Sequence, residues 1–152
     1  MLLLDAIAGN NDRHFYNWGV IRNLKSKKIR FSPIYDSARA LFWNESEEKL
    51  VQRKERSILR NSLDTYANNS SPKTGVDGRN NLNHFDLIRH ISNSSICPWF
   101  KEYSHHILYE KTNQALFSKI DTEFKQLFSP IRIELITNLL EIRIQMLKSC
   151  IL

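Results

Sequence analysis

Glycine is scarce in this chain: four in 152 residues, at positions 9, 19, 75 and 78, and they make no loop that cradles a phosphate with successive backbone N–H groups. Cysteine is scarcer still. Cys97 and Cys150 stand too far apart for a metal or redox motif, and neither has a histidine neighbour suited to thiol catalysis. Met1-Leu2-Leu3-Leu4 is too short for a signal-peptide core and has no basic flank before it, so the two thiols read as reduced and the setting as cytoplasmic. No apolar run reaches the ~18 residues of a membrane span, and no membrane partner is expected. No internal repeat is present, which sets aside solenoids and propellers.

What remains is an ordinary folding composition. With 41% hydrophobic and 25% charged residues the chain is ordered rather than disordered, and its length suits one domain, 1–152. A chain of this size buries roughly two thirds of its unfolded surface. The formal charge is +6, and residues 1–36 hold six Lys or Arg against three acids, so half of the excess lies in the first quarter. Lys25, Lys27, Lys28 and Arg30 cluster around a turn. They suit either a solvated turn or attraction for nucleotide phosphates or an acidic partner. The cluster falls short of an extended basic face, so direct nucleic-acid binding is not expected.

Leu2 to Ala8 read as helical, with Gly9-Asn10 as the stop. That helix begins without a capping residue, which suggests a piece of a longer protein. Gly19-Val20-Ile21-Arg22 and Lys28-Ile29-Arg30-Phe31 favour a small hairpin, ended by Pro33. Glu45 to Leu63 is charge-rich and reads as a surface helix with Leu50, Val51, Ile58, Leu59 and Leu63 inward. Residues 66–83, dense in Asn, Ser, Gly and Pro, read as a flexible loop that flanks the substrate entrance or is simply mobile surface.

From residue 84 to 152 the pattern is a helical bundle. Phe85, Leu87, Ile88 and Ile91 suit one helix, Trp99 to Tyr109 and Asn113 to Phe128 two more. Ile131, Leu135, Leu139, Ile142 and Met146 form the stripe of a terminal helix opened by Pro130. His105 and His106 are adjacent and point about 100° apart on a helix, a poor metal pair. Trp18, Trp43 and Trp99 are scattered rather than set on one strand pattern and are expected in the core, not as a base-stacking platform. The fold class is mainly α with a small β-hairpin.

The chemistry concentrates in residues 5–36. Asp12 and Asn17 share one loop after the first helix, and Asp36 follows the hairpin in Pro33-Ile34-Tyr35-Asp36. Phosphoryl transfer needs an oriented acceptor hydroxyl and a divalent ion on the nucleotide phosphates, with little covalent help from the protein. Asp12 suits acceptance of the hydroxyl proton as catalytic base. The amide oxygen of Asn17 and the carboxylate of Asp36 are hard ligands of the kind Mg²⁺ takes. Arg13 suits a phosphate or a nearby carboxylate, and His14 is expected to hold the loop rather than act as a base.

Asp5-Ala-Ile-Ala-Gly-Asn-Asn-Asp12-Arg13-His14-Phe-Tyr-Asn17-Trp18-Gly19, followed by Phe31-Ser-Pro-Ile-Tyr-Asp36, resembles the C-terminal kinase domain of HipA-like serine/threonine protein kinases. These are bacterial proteins, often toxins of toxin–antitoxin pairs. The resemblance implies a kinase C-lobe, ATP with Mg²⁺ as cofactors, Asp12 as base, Asn17 and Asp36 as metal and cofactor ligands, and a protein substrate. It also implies an N-lobe with a strand lysine and a phosphate-covering loop, which this chain does not contain and which an upstream segment or a separate partner would supply. Phosphoinositide-type kinases share an Asp-Arg-His loop with Asn at the same offset but continue to Asp-Phe-Gly, whereas Ser37-Ala38 follow Asp36 here. The contrasting reading is a non-catalytic remnant that binds a partner such as an antitoxin.

Overall fold

The computed structural model describes residues 1–55, 59–95 and 97–151. Helix α1 spans Leu2–Ala8, strands β1 and β2 span Val20–Arg22 and Ile29–Phe31, and α2 to α6 span Glu47–Glu55, Leu59–Asn68, His84–Ser92, Phe100–Leu108 and Glu110–Lys119. A π-helical turn, Ile120–Phe124, and a 3₁₀ turn, Lys125–Leu127, lead to α7, Pro130–Ile151. The expected mainly α fold with one hairpin is what forms.

α7 organises the rest. Its 22 residues rise about 33 Å, and α1 to α5, the hairpin aside, all pack on it. Pro130 opens the helix where its missing N–H costs nothing, and Ser129 Oγ accepts from Arg132 N at 3.2 Å. The anticipated stripe is there, with Leu135 and Leu139 fully buried, but Leu140, Ile144, Leu147 and Ile151 are buried as well. Neighbours on several sides demand more than one apolar face. The first half of α7 packs with Phe42, Leu50, Leu63 and Ala67; the second half packs with Leu3, Ala6, Phe85, Ile88 and Leu108.

Between the two cores lies one buried charge. Arg143 donates from Nε to Ala6 O at 2.6 Å and from Nη1 to Ala67 O at 2.8 Å and Ser70 Oγ at 2.6 Å. It thereby caps the C-terminal ends of both α1 and α3, where partial negative charge accumulates. The Phe85 ring lies 5.0 Å from its guanidinium carbon. Burial pulls its pKa down to about 10, so it stays charged at neutral pH.

The hairpin pairs Val20 with Phe31, Ile21 with Arg30 and Arg22 with Ile29, and Ser32 N extends the ladder to Gly19 O at 2.9 Å. Asn23 Oδ1 accepts from Lys25 N and Ser26 N at the turn, each at 2.9 Å, and Lys27 takes the left-handed conformation that closes it. Every residue of both strands is exposed.

Three expectations require correction. The helix anticipated over Glu45 to Leu63 is two helices, with 56–58 between them outside the described residues. The side chains of Ile58 and Leu59 likewise lie outside the description, and Val51 is exposed while Leu50 and Leu63 are buried. α3 continues to Asn68, so the loop expected from 66 starts after it; Tyr66 and Ala67 pack against the core, and that contact outweighs the Asn-rich composition. The three tryptophans are surface residues rather than core: Trp43 lies under the Arg39 guanidinium, Trp99 meets Tyr103 edge-on, and Trp18 leans on Phe31. Aliphatic side chains already fill the interior around α7, and the rings cover polar or aromatic neighbours instead.

Candidate active site

The loop of interest begins where α1 stops. Gly9 adopts φ +69°, and a Cβ there would stand 3.3 Å from the Arg143 guanidinium, so both conformation and space call for glycine. Asn10 is fully buried. It donates from Nδ2 to Asp5 Oδ1 at 2.9 Å, accepts from Asp12 N at 3.3 Å, and offers its carbonyl to His84 Nε2 at 3.0 Å. Asn11 reaches outward in two directions. Its N–H donates to Arg39 O at 3.0 Å, and its Oδ1 accepts from Ser71 N at 3.1 Å.

Arg13 is buried beneath the loop and joins four partners. Nε and Nη2 donate to the two oxygens of Asp5, each at 2.8 Å, Nη1 donates to Asn17 O at 2.5 Å and Tyr35 O at 2.9 Å, and Nη2 also reaches Ser37 Oγ at 3.2 Å. Of the two roles open to Arg13, the carboxylate partner is the one it takes, and burial removes it from any solvent-borne phosphate. The Asp5 hydrogen bonds hold the guanidinium above its usual pKa, and the charge of Asp36 adds to that. The residues on both sides of Asp36 are thus fixed to the guanidinium that holds Asn17, Tyr35 through the same nitrogen and Ser37 through Nη2.

Asn17 is buried and donates from Nδ2 to Asp12 O at 2.6 Å. Its amide nitrogen is thereby committed, which leaves Oδ1 as the atom that could accept from or coordinate another group. His14 Nδ1 accepts from Tyr16 N at 3.3 Å and opens the short 3₁₀ turn Phe15–Asn17, a bracing position. Asp36 is exposed at φ +55°, in the left-handed region that Asp tolerates better than most residues, and Leu41 and Phe42 follow at φ +50° and +61°. Three such residues in seven mark a segment bent by its surroundings, the pattern met at functional sites. Among the described residues no three His, Cys, Asp or Glu side chains gather into a metal-binding group. The available set is one amide oxygen and one carboxylate, which fits an ion that keeps water and phosphate oxygens in its shell.

Asp12 carries two cations. Lys73 Nζ contacts Oδ1, and Arg39 Nε lies 3.2 Å from Oδ2. The Lys73 hydrogen bond, with Arg39 adding its charge, holds the Asp12 carboxyl below the ordinary range, so it is ionised at neutral pH. Neither cation, nor the two-sided bracing by Asn10 and Asn11, was apparent from the sequence. Lys73 lies 61 positions from Asp12, and no local spacing reports so distant a pair.

Among known proteins, the chain is 40% identical over 42 residues to the serine/threonine-protein kinase CtkA of Helicobacter pylori, strain J99. That stretch is 28% of this chain and 13% of the kinase. No protein-family model and no solved structure matches. Over this short segment the chain is similar to a serine/threonine kinase. Among the described residues no helix is long and apolar enough to cross a membrane.

Proposed function

We propose that this chain is the catalytic half of a HipA-like protein kinase, transferring the γ-phosphate of ATP to a Ser or Thr hydroxyl of a protein. The observation that carries the reading is the buried Arg13, whose Nη1 holds Asn17 O and Tyr35 O together and so sets Asp36 beside the loop of Asp12. The kinase likeness of a short segment supports the same class.

Asp12 accepts a hydrogen bond from the acceptor hydroxyl and orients its oxygen. A carboxylate with a lowered pKa is a weak base, so the proton passes to it late, as the new bond to phosphorus forms. Asn17 Oδ1 and the Asp36 carboxylate would hold Mg²⁺, which neutralises phosphate charge and positions the nucleotide. Arg13 keeps those two ligands in register, and His14 holds the turn between Asp12 and Asn17.

The matched stretch is 13% of the kinase's length, and in this reading the whole activity draws on an N-lobe beyond these helices. The exposed Val20, Ile29 and Phe31 of the hairpin offer an apolar surface for an N-lobe from an upstream segment or a separate chain. Transfer of labelled γ-phosphate, measured with and without an added N-lobe, tests the reading. It should appear with the N-lobe and vanish in Asp12→Asn. Equal activity of Asp12→Asn and the wild type would refute the assignment, and strong activity of the chain alone would refute the need for a second lobe.

A further inference from the structure

One carboxylate needs one counter-charge, and Asp12 has two. Lys73 and Arg39 each take a different oxygen of it, leaving the trio with a surplus positive charge. The Asp12 side chain is only 14% exposed, whereas Lys73 and Arg39 are 54% and 47% exposed. An ammonium has three donors and a guanidinium five, so spare N–H groups of both face solvent beside the Asp12 oxygens.

A chance surface ion pair contributes about 0–1 kcal/mol and has no need of bracing. This one is braced from two sides. The Arg39 guanidinium lies 5.2 Å from the Trp43 ring centroid, and its backbone carbonyl accepts from Asn11 N at 3.0 Å. Lys73 lies two residues after Ser71, whose N–H donates to Asn11 Oδ1 at 3.1 Å, and Ser70 Oγ is hydrogen-bonded to His84 Nδ1 at 3.0 Å. Asn11, the residue before Asp12, therefore fixes both cation-bearing segments. The segments that carry them are tied to the residue before Asp12, one by a backbone hydrogen bond and one through the Asn11 side chain.

We propose that Lys73 and Arg39 form an anion subsite over Asp12 that binds the phosphoryl group in transfer. The assignment rests on the phosphotransfer reading of Asp12. In the step, the acceptor oxygen forms its bond to the γ-phosphorus while the bond from that phosphorus to the bridging oxygen breaks. The bridging oxygen leaves with the electron pair on the nucleoside diphosphate, and the hydroxyl proton goes to Asp12. Lys73 and Arg39 lie against the non-bridging oxygens, and each releases part of its hold on Asp12 as the phosphoryl charge arrives. The loop after α3 thus supplies a catalytic residue from outside the catalytic loop.

The test is calorimetric titration of the full chain with inorganic pyrophosphate and, separately, with ATP and Mg²⁺. The proteins compared are wild type, Lys73→Met, Lys73→Arg, Arg39→Met and Asp36→Ala, each checked for fold by amide spectra. Loss of either charge should weaken pyrophosphate binding roughly tenfold, as expected for a charge-assisted contact, with Lys73→Arg close to wild type. Unchanged pyrophosphate affinity in Lys73→Met and Arg39→Met, or no pyrophosphate binding by the wild type, would overturn the subsite. If Asp36→Ala abolishes Mg²⁺-dependent ATP binding while the cation variants bind pyrophosphate normally, the kinase reading stands and the subsite falls. Pyrophosphate binding through both cations without any Mg²⁺-dependent ATP binding would keep the subsite and sink the kinase reading.

Discussion

Asp5 and Arg13 meet side by side beneath the loop, with Nε on Oδ2 and Nη2 on Oδ1, both at 2.8 Å and both out of solvent. The helix and the loop it feeds are thereby joined through a planar fork that lysine cannot copy. Because the remaining nitrogen, Nη1, holds the carbonyls of Asn17 and Tyr35, the pair sets the site as well as the fold.

Arg13→Met leaves the Asp5 carboxylate buried and unpaired, and should destabilise the chain by about 3–5 kcal/mol. Arg13→Lys should recover little of this, since it restores charge without the fork. Urea midpoints of the variants and of the Asp5→Ala/Arg13→Met double variant check it. The double variant should lose less than the sum of the two single losses.

Arg143 offers a second test. Arg143→Met strands the Ala6 carbonyl, while Ala67 O keeps the Ser70 hydroxyl at 3.0 Å, and at about 1–3 kcal/mol for an unsatisfied group the loss should be about 1–3 kcal/mol. Gly9→Ala should cost about 1–2 kcal/mol from its left-handed backbone, with crowding against Arg143 added. Thermal unfolding of both variants measures the effects, and a neutral Gly9→Ala would show that the turn does not have this form.

His84 makes stability depend on pH. It is 1% exposed, and burial, reinforced by the Arg143 charge, pushes its pKa from 6.5 to about 4. The unfolded chain takes up this proton near pH 6.5 and the folded chain near 4. Stability is therefore full above 6.5, falls as pH drops towards 4, and levels off below. The loss over that window should be about 3 kcal/mol. His84→Gln should be less stable at pH 7 but lack this slope, as urea midpoints across pH 4 to 7 would show. Carboxylates such as Asp12 and Glu47, whose pKa values are lowered, contribute their own loss only at more acidic pH.

Local signals were legible and distant ones were not. Gly9 as a helix stop, the hairpin around Asn23 to Lys28 and the start of α7 at Pro130 each rest on a few adjacent residues, and each formed as the local chemistry demands. The order Asp12, Asn17, Asp36 was visible for the same reason. What brings Asn17 and the neighbours of Asp36 together is Arg13, whose buried fork is fixed by a carboxylate eight residues earlier and a carbonyl 22 residues later. Lys73, Arg39 and the Arg143 cap depend on pairings that no periodicity encodes. The tryptophans misled because their scatter along the chain argued only against a stacking platform and did not place them in the interior, which aliphatic side chains already occupied.

The most direct measurement is calorimetric titration of the chain with ATP in the presence and absence of Mg²⁺, repeated for Asn17→Ala and Asp36→Ala. A site of the proposed kind gives binding that requires the ion and is lost in both variants, with their folds intact. Heat that is absent for the wild type, indifferent to Mg²⁺, or unchanged by Asp36→Ala would contradict it.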